Sequence, residues 1–162
     1  MKYILLITTI LWSSITFAQT KFKAVDTCQY DYSDIDFCSK VNIATYQKAF
    51  LTRQPNFNQK YILLNIGDRL NHIYVALDTQ TGVVFTLKDE ISGVLRNNQS
   101  TGKLPTVSYS VNNPDLCVEG TVNSYRDAYD NVWVCYRVQK EDFGKYKKQF
   151  WRTDVPQSIE DR

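Results

Sequence analysis

Side chains that could carry acid–base or nucleophilic chemistry are sparse in this sequence. His72 is the only histidine among 162 residues, which excludes a catalytic pair of histidines. A serine triad would need His72 beside Ser92 or Ser108 and an aspartate, and neither serine lies in a nucleophile-elbow glycine pattern. We therefore interpret His72 as a residue at a strand end, and we predict no catalytic residue and no cofactor.

Carboxylates suggest two further kinds of chemistry. Asp31, Asp34 and Asp36 lie between two cysteines in a segment without basic residues, and carboxylate oxygens are ligands for Ca²⁺. The segment lacks the turn glycine and closing glutamate of an EF-hand loop, so we favour a solvated acidic loop and predict no metal. Glu119, opposite Trp133 in a predicted hairpin, is the candidate acid if the protein is a small carboxylate-dependent hydrolase. The enzyme question stays open, and a non-enzymatic role is preferred.

Aromatic residues next to charged residues suggest a recognition surface. Tyr125, Arg126 and Tyr129 lie between two strand-like segments, and tyrosine and arginine are enriched among residues that dominate interface energetics. The acidic loop would suit a basic partner, because complementary charge speeds encounter. Packing of the same aromatic rings in the core is the alternative interpretation. The candidate binding residues are Asp31, Asp34, Asp36, Tyr125, Arg126 and Tyr129.

A basic segment lies near the C-terminal end of the chain. Residues 137–152 contain six lysines or arginines and two acidic residues, interleaved with Tyr146, Phe150 and Trp151. Such a segment could contact nucleic acid, an anionic glycan or a membrane surface. We favour the other interpretation, an edge strand whose lysines prevent sheet aggregation. Because the net charge of the chain is only +2, we predict no nucleic-acid partner.

The N-terminal segment indicates export. Lys2, an apolar run over residues 3–12 and small residues up to Ala18 are typical of a signal peptide over residues 1–18. The apolar run is too short to span a bilayer as a helix, and no later segment is long and apolar enough to do so. We therefore predict a periplasmic or secreted protein without a membrane span, cleaved near Ala18.

The four cysteines predict two disulfides, because an even number of cysteines in an exported chain indicates a disulfide framework. Three pairings are possible, and we favour Cys28 with Cys38 and Cys117 with Cys135. The second pair would lie face to face in a hairpin formed by residues 116–122 and 132–138, where opposed Cβ atoms are close enough for a disulfide.

The elements that must position these residues are one helix and a sheet. Ser39 is a suitable N-cap for a helix that ends near Arg53, because the residue before Pro55 is disfavoured in helical backbone. We predict an α+β fold with this N-terminal helix on a mainly antiparallel sheet of six or seven strands that curls toward a barrel. One β-rich globular domain would occupy residues 19–155, followed by a polar tail over residues 156–162. The predicted strands are 61–66, 72–77, 83–87, 106–111, 116–122, 132–138 and 145–152.

Two short segments carry a family resemblance. Residues 54–61 read Gln-Pro-Asn-Phe-Asn-Gln-Lys-Tyr, and residues 76–85 read Ala-Leu-Asp-Thr-Gln-Thr-Gly-Val-Val-Phe. They resemble a family of small exported bacterial proteins, without an established activity, in which a Pro-Asn-Phe-Ala-Gly-His-Tyr segment precedes an Asp-x-x-Thr-Gly hairpin turn. The histidine and the paired cysteines of that family are missing at the matching positions. The resemblance implies a bacterial periplasmic protein with a helix followed by a sheet, and it transfers no site residue.

Export, disulfide-fixed loops and the lack of a coherent catalytic set together favour a binding function. We predict an exported periplasmic protein that binds a macromolecular partner, such as an inhibitor or immunity protein against a cell-wall enzyme or toxin. A protein is the preferred partner. The alternatives are a glycan- or peptidoglycan-binding module and the small carboxylate-dependent hydrolase described above.

Overall fold

The structure, a computed structural model, describes residues 20–125, 127–142 and 145–159. The predicted signal peptide and the candidate binding residue Arg126 therefore lie outside the described residues. The elements in chain order are β1 (Ala24–Val25), α1 (Lys40–Thr52), β2 (Tyr61–Asn65), β3 (Asn71–Asp78), β4 (Val83–Ser92), β5 (Leu95–Arg96), β6 (Gln99–Ser100), β7 (Thr106–Ser108), β8 (Leu116–Ser124), β9 (Asp127–Lys140), β10 (Lys148–Arg152) and β11 (Gln157–Ser158).

The helix begins and ends where the sequence predicts. The hydroxyl of Ser39 accepts a hydrogen bond from the backbone N–H of Asn42 and so satisfies one of the unpaired donors of the first turn. The C-cap Arg53 has extended backbone, and it directly precedes Gln54, the residue at which Pro55 disfavours helical backbone. The buried face of α1 consists of Tyr46, Ala49 and Phe50.

The strands β2, β3 and β4 form an antiparallel meander with two buried faces. Side chains alternate between the faces of a strand, so Ile62, Val75 and Val84 pack beneath α1. Their neighbours Leu63 and Phe85 pack on the opposite side of the meander, in a second apolar cluster. The meander is therefore the central layer between the helix and the C-terminal strands.

The strands β4, β10, β9 and β8 close into a small barrel. β10 pairs with β4 in parallel at Phe150 and Leu87, and β8 returns to β4 with Ile91 opposite Val122. All four of these side chains are buried in one apolar cluster. Along its second edge, β4 thus pairs successively with β1, β10 and β8.

The predicted strand count and strand directions are wrong. The described residues contain eleven strands instead of six or seven, and the main sheet is mixed because β1 and β10 run parallel to β4. Four of the strands have only two residues, which is too short to show an alternating pattern. β10 is not an edge strand, because it pairs with both β9 and β4. Its pairing with β4 joins segments far apart in the chain, and a local pattern cannot show such a contact.

Both predicted disulfides are confirmed. Cys117 faces Cys135 across the β8–β9 hairpin with their Cα atoms 4.0 Å apart, and Glu119 faces Trp133 in the same register. The disulfide between Cys28 and Cys38 closes the loop that precedes α1. No helix among the described residues has the length and apolar character needed to cross a membrane.

Candidate functional site

The loop closed by the first disulfide, residues 28–38, is fixed on the outer face of β4. Tyr30 Oη lies 2.9 Å from the hydroxyl of Thr86, and Ser33 Oγ donates to the carboxylate of Glu90 at 3.2 Å. Thr86 and Glu90 are four residues apart on one strand and therefore share a face. We call residues 28–38 the acidic loop; its attachment to β4 fixes the loop's position on the sheet.

The three predicted aspartates are all exposed on the acidic loop. Asp36 Oδ1 accepts a hydrogen bond from the backbone N–H of Cys38 at 2.8 Å, so this carboxylate supports the start of α1. The ion pairs formed among the described residues do not involve Asp31 or Asp34. In this part of the chain, no group of three His, Cys, Asp or Glu side chains is arranged to hold a metal ion.

A ring contact joins the acidic loop to the tip of the β8–β9 hairpin. The ring centroids of Tyr32 and Tyr125 are 4.6 Å apart in an edge-to-face arrangement, which is a favourable geometry for aromatic pairs. Tyr125 nevertheless remains 52% exposed. The structure therefore brings together two segments that the sequence identified separately as candidates for binding.

Two cations lie among the aromatic rings beside this contact. Lys88 Nζ lies 5.4 Å from the ring centroid of Tyr32 and 4.3 Å from that of Trp151. The guanidinium carbon of Arg152 lies 5.4 Å from the ring centroid of Tyr129. These are cation–π distances, and burial lowers the pKa of Lys88. We call this surface the aromatic face, defined by Tyr32, Tyr125, Tyr129, Trp151, Lys88 and Arg152.

Arg152 is held in place by a carboxylate inside the barrel. Asp89 is 1% exposed, and its Oδ2 accepts a hydrogen bond from Tyr136 at 3.0 Å and lies 3.3 Å from Arg152 Nε. Burial raises the pKa of Tyr136, and the charge of Asp89 raises it further. Arg152 also donates to Ser124 Oγ at 3.4 Å. The orientation of this cation on the aromatic face is thus determined from within the barrel.

A cavity opens beside the aromatic face. It has a volume of about 500 Å³ and is lined by Tyr129, Trp151, Arg152 and residues 153–156. Aromatic rings with a few polar groups are the usual lining of sites that bind small molecules or sugar rings. The cavity can therefore receive a side chain of a partner or a sugar.

A partly buried carboxylate near the acidic loop was not identified from the sequence. Asp26 Oδ1 accepts hydrogen bonds from the backbone N–H and the hydroxyl of Thr86, both at 3.0 Å. Burial raises the pKa of Asp26 to about 6, although these hydrogen bonds oppose the shift. Asp26 and Glu141 line one cavity of about 210 Å³, together with Tyr30 and Lys145. Neither carboxylate lies in a motif, so only the fold reveals the pair.

Several cations of the basic segment 137–152 form ion pairs in the structure. Arg137 forms a bidentate ion pair with Asp115 at 2.7 and 2.8 Å. Lys148 pairs with Asp78, and Arg152 pairs with Asp89 as described above. Within the described residues, the segment is therefore not one continuous basic strip.

The predicted site residues fall into three groups. Asp31 and Asp34 lie on the acidic loop beside the aromatic face, to which Tyr125 and Tyr129 belong. Asp36 lies on the same loop at the start of α1. Glu119 lies on β8, opposite Trp133 and the edge strand β7. Sequence reasoning missed Tyr32, Lys88, Trp151 and Arg152 as members of the aromatic face, although the aromatic and basic composition of the C-terminal segment was a signal for the last two.

The fold and the site define a disulfide-bonded α+β protein with a small barrel and a rigid surface of acidic and aromatic residues. Comparisons with protein-family models, with curated proteins and with solved structures find no match to this chain.

Proposed function

We propose that this is an exported binding protein that engages a basic macromolecular partner through the acidic loop and the aromatic face. The contact between Tyr32 and Tyr125 carries the proposal, because it joins the two surfaces into one. Around this contact, exposed carboxylates lie beside tyrosine, tryptophan and arginine side chains, the last three being enriched at interface hot spots.

The site is organised for binding before a partner arrives. A disulfide closes the acidic loop, and hydrogen bonds from Tyr30 and Ser33 attach it to β4. The ion pair with Asp89 holds Arg152. Because ordering flexible groups costs free energy on association, such preorganisation favours affinity.

A protein that inhibits or neutralises a cell-wall enzyme or toxin fits these properties. Disulfides are typical of exported proteins. They would hold a binding surface in one conformation, so that no further folding is needed on binding. The partial resemblance to small exported bacterial proteins supports the same compartment. The exposed Asp31 and Asp34 favour a partner with lysines or arginines at its contact surface, since complementary charge accelerates association.

The cavity lined by Tyr129 and Trp151 favours a second candidate, a glycan-binding module. Aromatic rings beside charged hydrogen-bonding groups are suited to a sugar ring. In this case the partner would be cell-wall glycan, and binding would depend on Trp151 more than on the acidic loop.

The proposal is tested by partner capture with matched variants. The exported chain, collected from the periplasm of an expressing bacterium, is used as bait against a panel of purified basic cell-wall hydrolases and against periplasmic extract. Asp31→Asn/Asp34→Asn should slow association and reduce its dependence on salt, because the aspartates steer a basic partner.

Two results would count against this function. One is capture that is unchanged in the double aspartate variant at every salt concentration. The other is absence of any protein partner together with co-sedimentation on insoluble peptidoglycan that Trp151→Ala abolishes, which would favour the glycan-binding module instead.

A further inference from the structure

We propose that a second cavity, lined by Lys60, Lys140 and Lys148, binds a phosphate-type anion. The cavity has a volume of about 680 Å³ and lies where the start of β2, the β3–β4 turn and the ends of β9 and β10 meet. Side-chain amides of Asn58, Gln59 and Gln80 also line it. This site is independent of the proposed binding function.

The lining of the cavity is rich in hydrogen-bond donors and positive charge. Three lysines and three residues with side-chain amides line the same space, and no carboxylate belongs to the lining among the described residues. An ammonium supplies up to three donors and no acceptor. The ligand that such a lining recognises is therefore one with several acceptor oxygens and negative charge.

A buried carboxylate holds one of the lysines in place. Lys148 Nζ lies 3.0 Å from Asp78 Oδ2, and Asp78 is completely buried. The other oxygen of Asp78 accepts hydrogen bonds from the backbone N–H groups of Gln80 and Thr81 at 2.9 and 3.2 Å. Asp78 thus compensates the charge of Lys148 from below and also attracts Lys60, which leaves the three lysines of the described lining with a net positive charge.

Lys60 and Lys148 lie close enough to influence each other. Burial lowers the pKa of Lys60, and the neighbouring positive charge of Lys148 lowers it further. Lys60 Nζ also lies 5.3 Å from the ring centroid of Tyr61. Two like charges at one cavity repel each other, and an anion between them would remove this repulsion.

A phosphate is the anion that best matches this lining. Lysine binds phosphate as a point charge, and a phosphate group offers several strong acceptor oxygens to the donors that line the cavity. The lining contains lysines and no arginine in the described part of the chain. Because the volume lies within the range of sites for drug-sized ligands, the phosphate would be carried on a larger molecule, either a soluble ester or a lipid headgroup.

The anion cavity is separate from the aromatic face. Lys148 begins β10, while Trp151 and Arg152 end it, so they lie roughly 10 and 13 Å from Lys148 along the strand at the rise of a strand. Lys148 also borders the smaller cavity that contains Asp26 and Glu141. These carboxylates would repel an anion that entered the smaller cavity, so the larger cavity is the binding site.

The test is calorimetric titration of the exported chain with inorganic phosphate at constant ionic strength, with chloride as the competing anion. Sedimentation with phosphatidic acid vesicles, compared with phosphatidylcholine vesicles, distinguishes a lipid headgroup from a soluble phosphate. The variants are Lys60→Gln and Lys140→Gln. Lys48→Gln on the exposed face of α1 is the control, because it changes the net charge by the same amount.

Saturable binding of phosphate or of phosphatidic acid vesicles, weakened at least tenfold by Lys60→Gln and by Lys140→Gln but less than twofold by Lys48→Gln, supports the site. Binding should also raise the pKa of Lys60, measured from the NMR shift of its side chain, because affinity and protonation are linked. No saturable binding of either probe, or equal weakening by all three variants, would overturn the proposal.

Discussion

Buried and exposed charges have different energetic roles at the scale of single residues. Asp89 is almost inaccessible to solvent and depends on Arg152 and Tyr136 for compensation. Asp115, in contrast, pairs with Arg137 at the surface, where the two side chains remain 23% and 42% exposed. Because the second pair keeps part of its contact with water in the folded state, it pays a smaller desolvation penalty, and the two pairs provide a direct comparison.

Arg152→Met should destabilise the protein far more than Arg137→Met. The first substitution leaves Asp89 buried without its cation, which costs about 3–5 kcal/mol. The second removes a bidentate pair that is partly exposed to solvent, so the loss should be smaller, about 1–2 kcal/mol. Urea unfolding of both variants measures the difference, and equal losses would contradict the account of Asp89 as a buried charge.

The raised pKa of Asp26 predicts that the stability of the folded protein depends on pH. Its pKa is about 6 in the folded protein and near 3.9 in an unfolded chain, so the folded state binds more protons between these values. Stability should therefore fall as pH rises from about 4 through 6, by on the order of 3 kcal/mol at most.

The variant Asp26→Asn should lack this part of the pH dependence. The amide oxygen can still accept the hydrogen bonds from Thr86, so the fold is preserved. Thermal unfolding between pH 4.5 and 7.5 gives the comparison. If the variant and the unmodified chain lose stability equally over this range, Asp26 does not titrate as described.

At the scale of elements, the β3–β4 turn depends on a glycine. Gly82 has φ +75, and a Cβ there would overlap the carbonyl oxygen of Lys21. Gly102 has nearly the same φ, +74, but faces open space. Both positions favour glycine because side chains are disfavoured at positive φ, while only Gly82 is also restricted by a neighbouring segment.

We expect Gly102→Ala to cost about 1 kcal/mol, the usual cost of positive φ for a residue with a side chain. Gly82→Ala should cost at least twice as much, because the segment before β1 must move away from the turn. Chemical unfolding of the two variants provides the measurement, and similar losses would show that Lys21 does not pack against the turn.

Local patterns predicted the local elements, and they failed where contacts join distant segments. The N-cap Ser39 and the register that places Cys117 opposite Cys135 follow from nearby residues, and the structure confirms both. The parallel pairing of β10 with β4 depends on closure of the barrel. No spacing within either strand contains this information.

The same distinction applies to the candidate site. Tyr125 and Tyr129 were identified because they lie together in a turn, and the acidic loop because it lies between cysteines. The acidic loop and the hairpin tip lie close together because Tyr32 of the loop contacts Tyr125 of the tip, and these two residues are far apart in the chain. The membership of Lys88 could not be predicted, since it is defined by rings that only the fold brings near, and the composition of the C-terminal segment indicated Arg152 without its place on the aromatic face.

At the scale of the whole molecule, the small net charge is the sum of an acidic surface and a basic surface that lie apart. The formal charge of +2 argues against a nucleic-acid partner, but it does not show where the charges lie: exposed carboxylates lie on the acidic loop and lysines line the second cavity. The barrel holds these surfaces at a fixed separation along β10. The two proposals therefore assign a macromolecular partner to one surface and a phosphate-bearing ligand to the other.

The most direct measurement of the central claim is the affinity of the captured partner for Tyr125→Ala compared with Tyr109→Ala. Both tyrosines are substantially exposed, 52% and 41% respectively, but only Tyr125 belongs to the aromatic face. Binding should weaken at least tenfold with Tyr125→Ala, as for a residue at an interface hot spot, and less than twofold with Tyr109→Ala. Equal affinity of the two variants would contradict binding through the aromatic face.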